Sequence, residues 1–120
     1  MPLTRTITPY GEAIWELRTD HDETLGRAEA LTDGDTILIA RITVPRKHRG
    51  HGYATHLLNA VLTHFPDSPV EVVASPLTTR HPGLDQAALQ AWYTRHGFTP
   101  TPRRGDPLLM LRPPKPTPQP

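Results

Sequence analysis

Residues 12–18 (EAIWELR) set Ala13, Trp15 and Leu17 against Glu12, Ile14, Glu16 and Arg18. A period of two with one dry face predicts a strand. A short extended start around Leu3 to Thr8 precedes it, and the turn residues TDHDE follow. Residues 24–31 and 36–44 flank Thr32-Asp33-Gly34-Asp35. Asp-Gly between two apolar runs predicts an antiparallel hairpin, because glycine takes a positive φ without steric cost. The run TILIARITV keeps Leu38, Ala40, Ile42 and Val44 on one face, while the other begins with Ile37 and Ile39 and ends with Arg41 and Thr43. That asymmetry predicts a central strand that surfaces at its C-terminal end.

From Gly52 the period changes. Ala54, Leu57, Leu58, Val61, Leu62 and Phe65 recur at three- and four-residue steps, one face of a helix that Pro66 terminates. Residues 70–74 (VEVVA) predict a short buried strand. Asp85 is a suitable N-cap, with Leu84 and Leu89 spaced as a hydrophobic staple, so a helix over 86–96 is expected, closed by Gly97. Leu108 to Leu111 predict one further edge strand. The order β-β-β-β-α-β-α-β has no internal repeat and indicates an α/β (α+β) domain.

The 120 residues suffice for one domain, assigned to 1–112. Residues 113–120 (PPKPTPQP) offer no apolar side chain besides proline and are expected to form an extended, solvated, disordered tail. Thirteen basic residues against twelve acidic give a net charge of +1, so no global field draws nucleic acid or an anionic membrane. Without cysteine there is no disulfide, thiolate metal site or cysteine nucleophile. The N-terminus has no apolar signal core, and no run approaches the roughly 18 apolar residues of a membrane span. The expected location is the cytoplasm.

Residues 44–55 (VPRKHRGHGYAT) join a strand end, a basic loop with two glycines and a helix start. Such a junction binds phosphate: backbone N–H groups at Gly50, His51, Gly52, Tyr53 and Ala54 face outward, glycine lets an anion approach, and the helix dipole adds positive potential. Arg49 supplies a charge beside them. The spacing matches neither a Walker loop nor a dinucleotide fingerprint. Read alone, the segment also fits a tight turn with solvated basic side chains.

Two motifs together favour the phosphate-binding reading. Arg49-Gly50-His51-Gly52-Tyr53-Ala54 resembles the R/Q-x-x-G-x-G/A signature of the GCN5-related N-acetyltransferases (GNAT), and residues 92–98 (WYTRHGF) resemble that family's second motif. The resemblance covers residues 36–112. It implies a mixed, mostly antiparallel sheet with two main helices, and acetyl-CoA as acyl donor. By position it implies that the backbone of Ile42, Thr43 and Val44 pairs with the pantetheine arm, and that the diphosphate rests on the amides of residues 50–55, Thr55 included. Lys47, His48 and His51 are then candidates to meet the 3′-phosphate.

The implied reaction is direct attack of an amine on bound acetyl-CoA, since no cysteine is present to carry the acyl group. Tyr93 matches the family tyrosine that protonates or hydrogen-bonds the CoA sulfur. Glu71 interrupts an apolar strand, and its surroundings resemble those of the glutamate base in ribosomal-protein N-terminal acetyltransferases. Partial burial is what brings a carboxylate toward working pH as a base. Glu29 and Glu16 stand in reserve. The two helices usual after the family's first strand have no counterpart, because Tyr10-Gly11 leads almost directly into the second strand. That departure predicts an open acceptor site or one completed by a second subunit, a homodimer. The loop 76–84 brings Arg80 and His81 as candidates for acceptor selection. The histidines lack metal-ligand spacing, so no metal is expected. Two rival readings are a CoA-binding sensor or scaffold without chemistry, and a nucleic-acid module using the basic glycine loop with Arg103-Arg104. The second is disfavoured because no aromatic is interleaved with the basic run. The acceptor amine itself is not specified by any motif.

Overall fold

The alternating runs fold as a four-strand antiparallel meander: β1 (Leu3–Ile7), β2 (Glu12–Arg18), β3 (Thr24–Asp33) and β4 (Thr36–Thr43), each paired with the next. The computed structural model of the chain describes residues 3–7, 12–33, 35–48, 51–73, 79–80, 86–100 and 109–113. Leu84, Asp85, Arg103, Arg104 and the tail 114–120, to which expectations were attached, lie outside these. Helix α1 (Tyr53–His64) carries the chain over to β5 (Val70–Val73), parallel to β4. Then come β6 (Thr79–Arg80), α2 (Gln86–Arg95), β7 (Thr99–Pro100) and β8 (Leu109–Arg112). The sheet order is β1-β2-β3-β4-β5-β8-β7, with β6 beside β4. Six strands of four or more residues and two helices reproduce the expected order; β6 and β7 are two-residue additions.

One face of the sheet packs on α1. Ala13, Trp15 and Leu17 are buried as their alternation predicts, and α1 answers with Ala54, Leu57, Leu58 and Val61. Helix and sheet come close at Gly26 of β3, where an added Cβ would lie 2.9 Å from Leu57 Cδ1. At the far end of α1, Trp15 sits edge-on to Phe65 at 6.2 Å, and the Arg112 guanidinium donates to the carbonyls of Phe65 (2.7 Å) and Ser68 (3.1 Å).

β4 departs from simple alternation. The buried residues are Ile37, Ile39, Ile42 and Val44, rather than the expected set Leu38, Ala40, Ile42 and Val44. The cause is a β-bulge: Glu29 pairs with Arg41 but Ala30 with Ile39, so Ala40 is an extra residue that reverses the phase of the strand. The strand end surfaces on one face only, as its asymmetry predicts. Arg41 is exposed, but Ile42 and Val44 are core residues. A second correction concerns the last strand, which is not an edge: β8 pairs with β5 on one side and with β7 on the other.

Among the described residues no helix is long and apolar enough to cross a membrane. α2 buries Leu89, Trp92 and Tyr93 and closes at Gly97, whose φ of 93° is left-handed as the sequence requires.

Candidate active site

β4 runs into Val44-Pro45, a single 3₁₀ turn at Arg46–His48, and then His51-Gly52 at the head of α1. Arg49 and Gly50 lie outside the described residues. Gly52 is the N-cap of α1, with φ 77° and ψ 15°, and among the described residues nothing beyond its two chain neighbours lies within 4 Å of where its Cβ would be. The helical ladder begins with the His56 N–H donating to the Gly52 carbonyl at 3.0 Å. The amides of Tyr53, Ala54 and Thr55 therefore precede the ladder. Among the described residues no side chain caps this end, and the first turn has no acidic residue. An uncapped, glycine-led N-terminus is electrostatically and sterically suited to an anion.

The basic side chains before it are anchored. Glu23, in the turn between β2 and β3, takes Lys47 Nζ at 2.7 Å and His48 Nε2 at 2.9 Å on one carboxylate oxygen. Lys47 and then His48 hold the Glu23 carboxyl below its ordinary pKa. Of the three candidates for a 3′-phosphate, Lys47 and His48 are thus tied to the meander, while His51 is exposed beside the Tyr53 ring, 5.5 Å away.

The outer edge of β4 differs from expectation. The backbone of Ile42 and Thr43, expected to stand open, is paired with Thr79 and Arg80 of β6. β5 pairs β4 only from Ile37 to Ile39, and β6 occupies the edge that β5 leaves beyond that point.

Glu71, near the middle of β5, is 4% exposed, and its strand neighbours are Leu38 and Leu111. Leu38 pairs with Leu31 and Ile42 with Ala28, three steps along β3, so Glu71 sits roughly 10 Å up the sheet from Ile42. Tyr93 is fully buried, edge-on to Trp92 at 4.8 Å and to Phe98 at 5.3 Å. The reserve carboxylate Glu29 is closer to the strand end, directly opposite Arg41 and bonded to Arg27 Nε at 3.0 Å. Glu16 is paired instead with Arg18 at 3.1 Å. The side chain of Arg80 and the whole of His81 lie outside the described residues.

Two clefts flank the β4–α1 connection. One, of about 740 Å³, starts at Gly52, Thr55 and His56 and follows α1 past Asn59 to Trp15 and Leu3. The other, of about 400 Å³, opens where β3 and β4 end. Neither Glu23 nor Gly26 was singled out by the sequence patterns. Gly26 had a readable signal, since a glycine inside a strand marks close backbone approach. Glu23 had none, because its partners are some 25 residues away in the chain.

Comparison with known proteins gives the family and the fold. Residues 11–100 match the acetyltransferase (GNAT) domain family. The fold resembles an acyl-CoA N-acyltransferase described from Klebsiella pneumoniae subsp. pneumoniae, 21% identical, with a TM-score of 0.68 over 90% of this chain and 76% of that one. It also resembles the PaiA N-acetyltransferase of Thermoplasma acidophilum solved with coenzyme A, 10% identical, TM-score 0.67, over 86% of this chain. Our chain spans only 61% of the length of that protein. A third likeness is to the anti-CRISPR protein AcrVA5, 19% identical, TM-score 0.61, covering 84% of this chain and 97% of that one. Among curated proteins, no sequence matches.

Proposed function

Since the chain belongs to the GNAT acetyltransferases, we propose that it transfers the acetyl group of acetyl-CoA to an amine by direct attack in a ternary complex. The observation that carries this reading is the glycine-led start of α1 after the loop that leaves β4, with no described atom beyond its chain neighbours within 4 Å of where a Gly52 Cβ would be. The amides of Tyr53, Ala54 and Thr55, with His51 beside them and Arg49 and Gly50 ahead of them, hold the diphosphate. Ile42, Thr43 and Val44 receive the pantetheine arm on the edge of β4, which requires β6 to move aside.

Acetyl-CoA supplies an activated thioester. The amine nitrogen bonds to the acetyl carbon, the carbon–sulfur bond breaks, nitrogen gives one proton to a base, and the departing sulfur gains one, leaving an amide and CoA. An alkylamine of pKa about 10.4 is under about 0.1% neutral at pH 7, so the reaction needs a base or an acceptor amine of lower pKa. Glu71 is the first candidate for the base and Glu29 the second; Tyr93 delivers the proton to sulfur. The fully buried Tyr93 and the covered β4 edge also favour a second reading, a CoA-binding sensor without turnover.

Thermal unfolding with CoA and acetyl-CoA, followed by mass spectrometry of an amine panel, tests the proposal. Stabilisation together with acetylated product supports it. Stabilisation with no product on any amine leaves the sensor reading, and absence of stabilisation removes both. With an active amine in hand, Tyr93→Phe is expected to lower kcat by about 100-fold. Glu71→Gln is expected to flatten the alkaline rise of kcat/KM; a preserved rise that disappears in Glu29→Gln transfers the role to Glu29.

A further inference from the structure

Resting on the acetyl-transfer reading, we infer that the cleft at the ends of β3 and β4 selects an acceptor of amino-acid type, with a carboxylate close to its reacting amine. Arg27, Glu29, Arg41 and Thr43 line this cleft of about 400 Å³ together with Thr24 and Pro45. The volume is near the small end of the roughly 300–1,000 Å³ of small-molecule sites. Arg41, Thr43 and Pro45 interleave in the chain with Ile42 and Val44, the backbone assigned to the coenzyme arm. Whatever fills the cleft is therefore next to the donor.

The charges in the cleft do not balance. Register places Glu29 opposite Arg41 and Arg27 opposite Thr43, all on one sheet face. Glu29 nevertheless turns along its own strand to Arg27, at 3.0 Å. Arg41 is exposed and makes no ion pair among the described residues. Two guanidinium groups thus line the cleft beside a single carboxylate, which only Arg27 engages. A bare alkylammonium approaching Glu29 meets a net positive site and is disfavoured. An amino acid cancels the excess: its ammonium faces Glu29, and its carboxylate takes the planar fork of Arg41, a bidentate geometry that lysine does not offer.

The test uses the full chain, the twenty protein amino acids and their carboxamides, which keep size and amine but remove the anion. Acetylation rates at saturating acetyl-CoA and direct titration calorimetry are measured in parallel. For the preferred side chain, the amino acid is expected to exceed its carboxamide by at least about tenfold in kcat/KM and in affinity. Arg41→Gln should bring that ratio to about one by raising KM for the amino acid, with kcat and the thermal shift caused by CoA unchanged. Arg41→Lys should restore only part of it. Equal use of acid and carboxamide by the wild type, a ratio that survives Arg41→Gln, or no binding of any amino acid overturns the inference. A failure of CoA to stabilise the chain is a separate outcome that overturns the acetyl-transfer reading on which the inference rests.

Discussion

The backbone N–H of Phe98 donates to the carbonyl of Tyr93 at 3.1 Å, while the two rings meet edge-on at 5.3 Å. One residue apart from that bond, Gly97 donates to Thr94 at 3.1 Å with φ at 93°. The glycine that closes α2 therefore also fixes the aromatic proposed to serve the departing sulfur. Gly97→Ala forces a side chain into the left-handed region at a cost of about 1–2 kcal/mol. We expect a Tm several degrees lower by calorimetry. Because Tyr93 loses its clamp, kcat should fall by more than the KM for acetyl-CoA changes.

Gly26 carries a different constraint. A methyl there would stand 2.9 Å from Leu57 Cδ1 and 3.4 Å from both the Thr43 carbonyl and Val44 Cγ2. Leu57 is fully buried and has little room to yield. Gly26→Val should destabilise the chain by about 1–3 kcal/mol in urea unfolding, and Gly26→Ala by less. Equal midpoints for Gly26→Val and wild type would show that α1 is not held against β3 at this point.

The Glu23 anchor makes a signed prediction with pH. Its carboxyl is held below the ordinary value of 4.5 by Lys47 and then His48. A depressed carboxylate stabilises the fold fully above that value, and the contribution disappears as pH falls through the lower folded one. Glu23→Gln should therefore melt below wild type at pH 6, with the two curves converging under acid conditions below 4.5. The pair is exposed, so the difference should also shrink in high salt. A gap that persists unchanged in acid would assign the effect to something other than this ion pair.

β6 supplies the fourth prediction. If the coenzyme arm takes the β4 edge at Ile42 and Thr43, the pairing with Thr79 and Arg80 has to be released. Hydrogen exchange followed by mass spectrometry should show faster exchange at residues 79–80 on addition of CoA, with no loss of protection across residues 42–44. Slower exchange at residues 79–80 would mean that the coenzyme binds without displacing β6.

Much of the fold was legible because its elements are locally consistent. Ala13, Trp15 and Leu17 alternate with a face that carries Glu12, Glu16 and Arg18, α1 shows one apolar stripe, and Gly97 marks a helix end. Ala40 was not legible in this way: a period of two carries no sign of an inserted residue, and only the pairing of Glu29 and Ala30 across the hairpin reveals it. The β6 contact was equally hidden, since two residues have no periodicity. At the site, the start of α1 was legible from the change of period at Gly52, although its N-cap role was not. The excess charge at Arg41 was not, because it depends on which partner Glu29 turns toward.

Among the described residues, the two margins of the sheet are chemically unequal. β7, at one margin, ends at Pro100, which has no N–H to offer an incoming strand. β1, at the other, runs five residues without proline. Any self-templated growth of this sheet, in a crowded cell or a concentrated preparation, would start at the amino-terminal margin, and that is where a charged or proline substitution would best keep the chain dispersed.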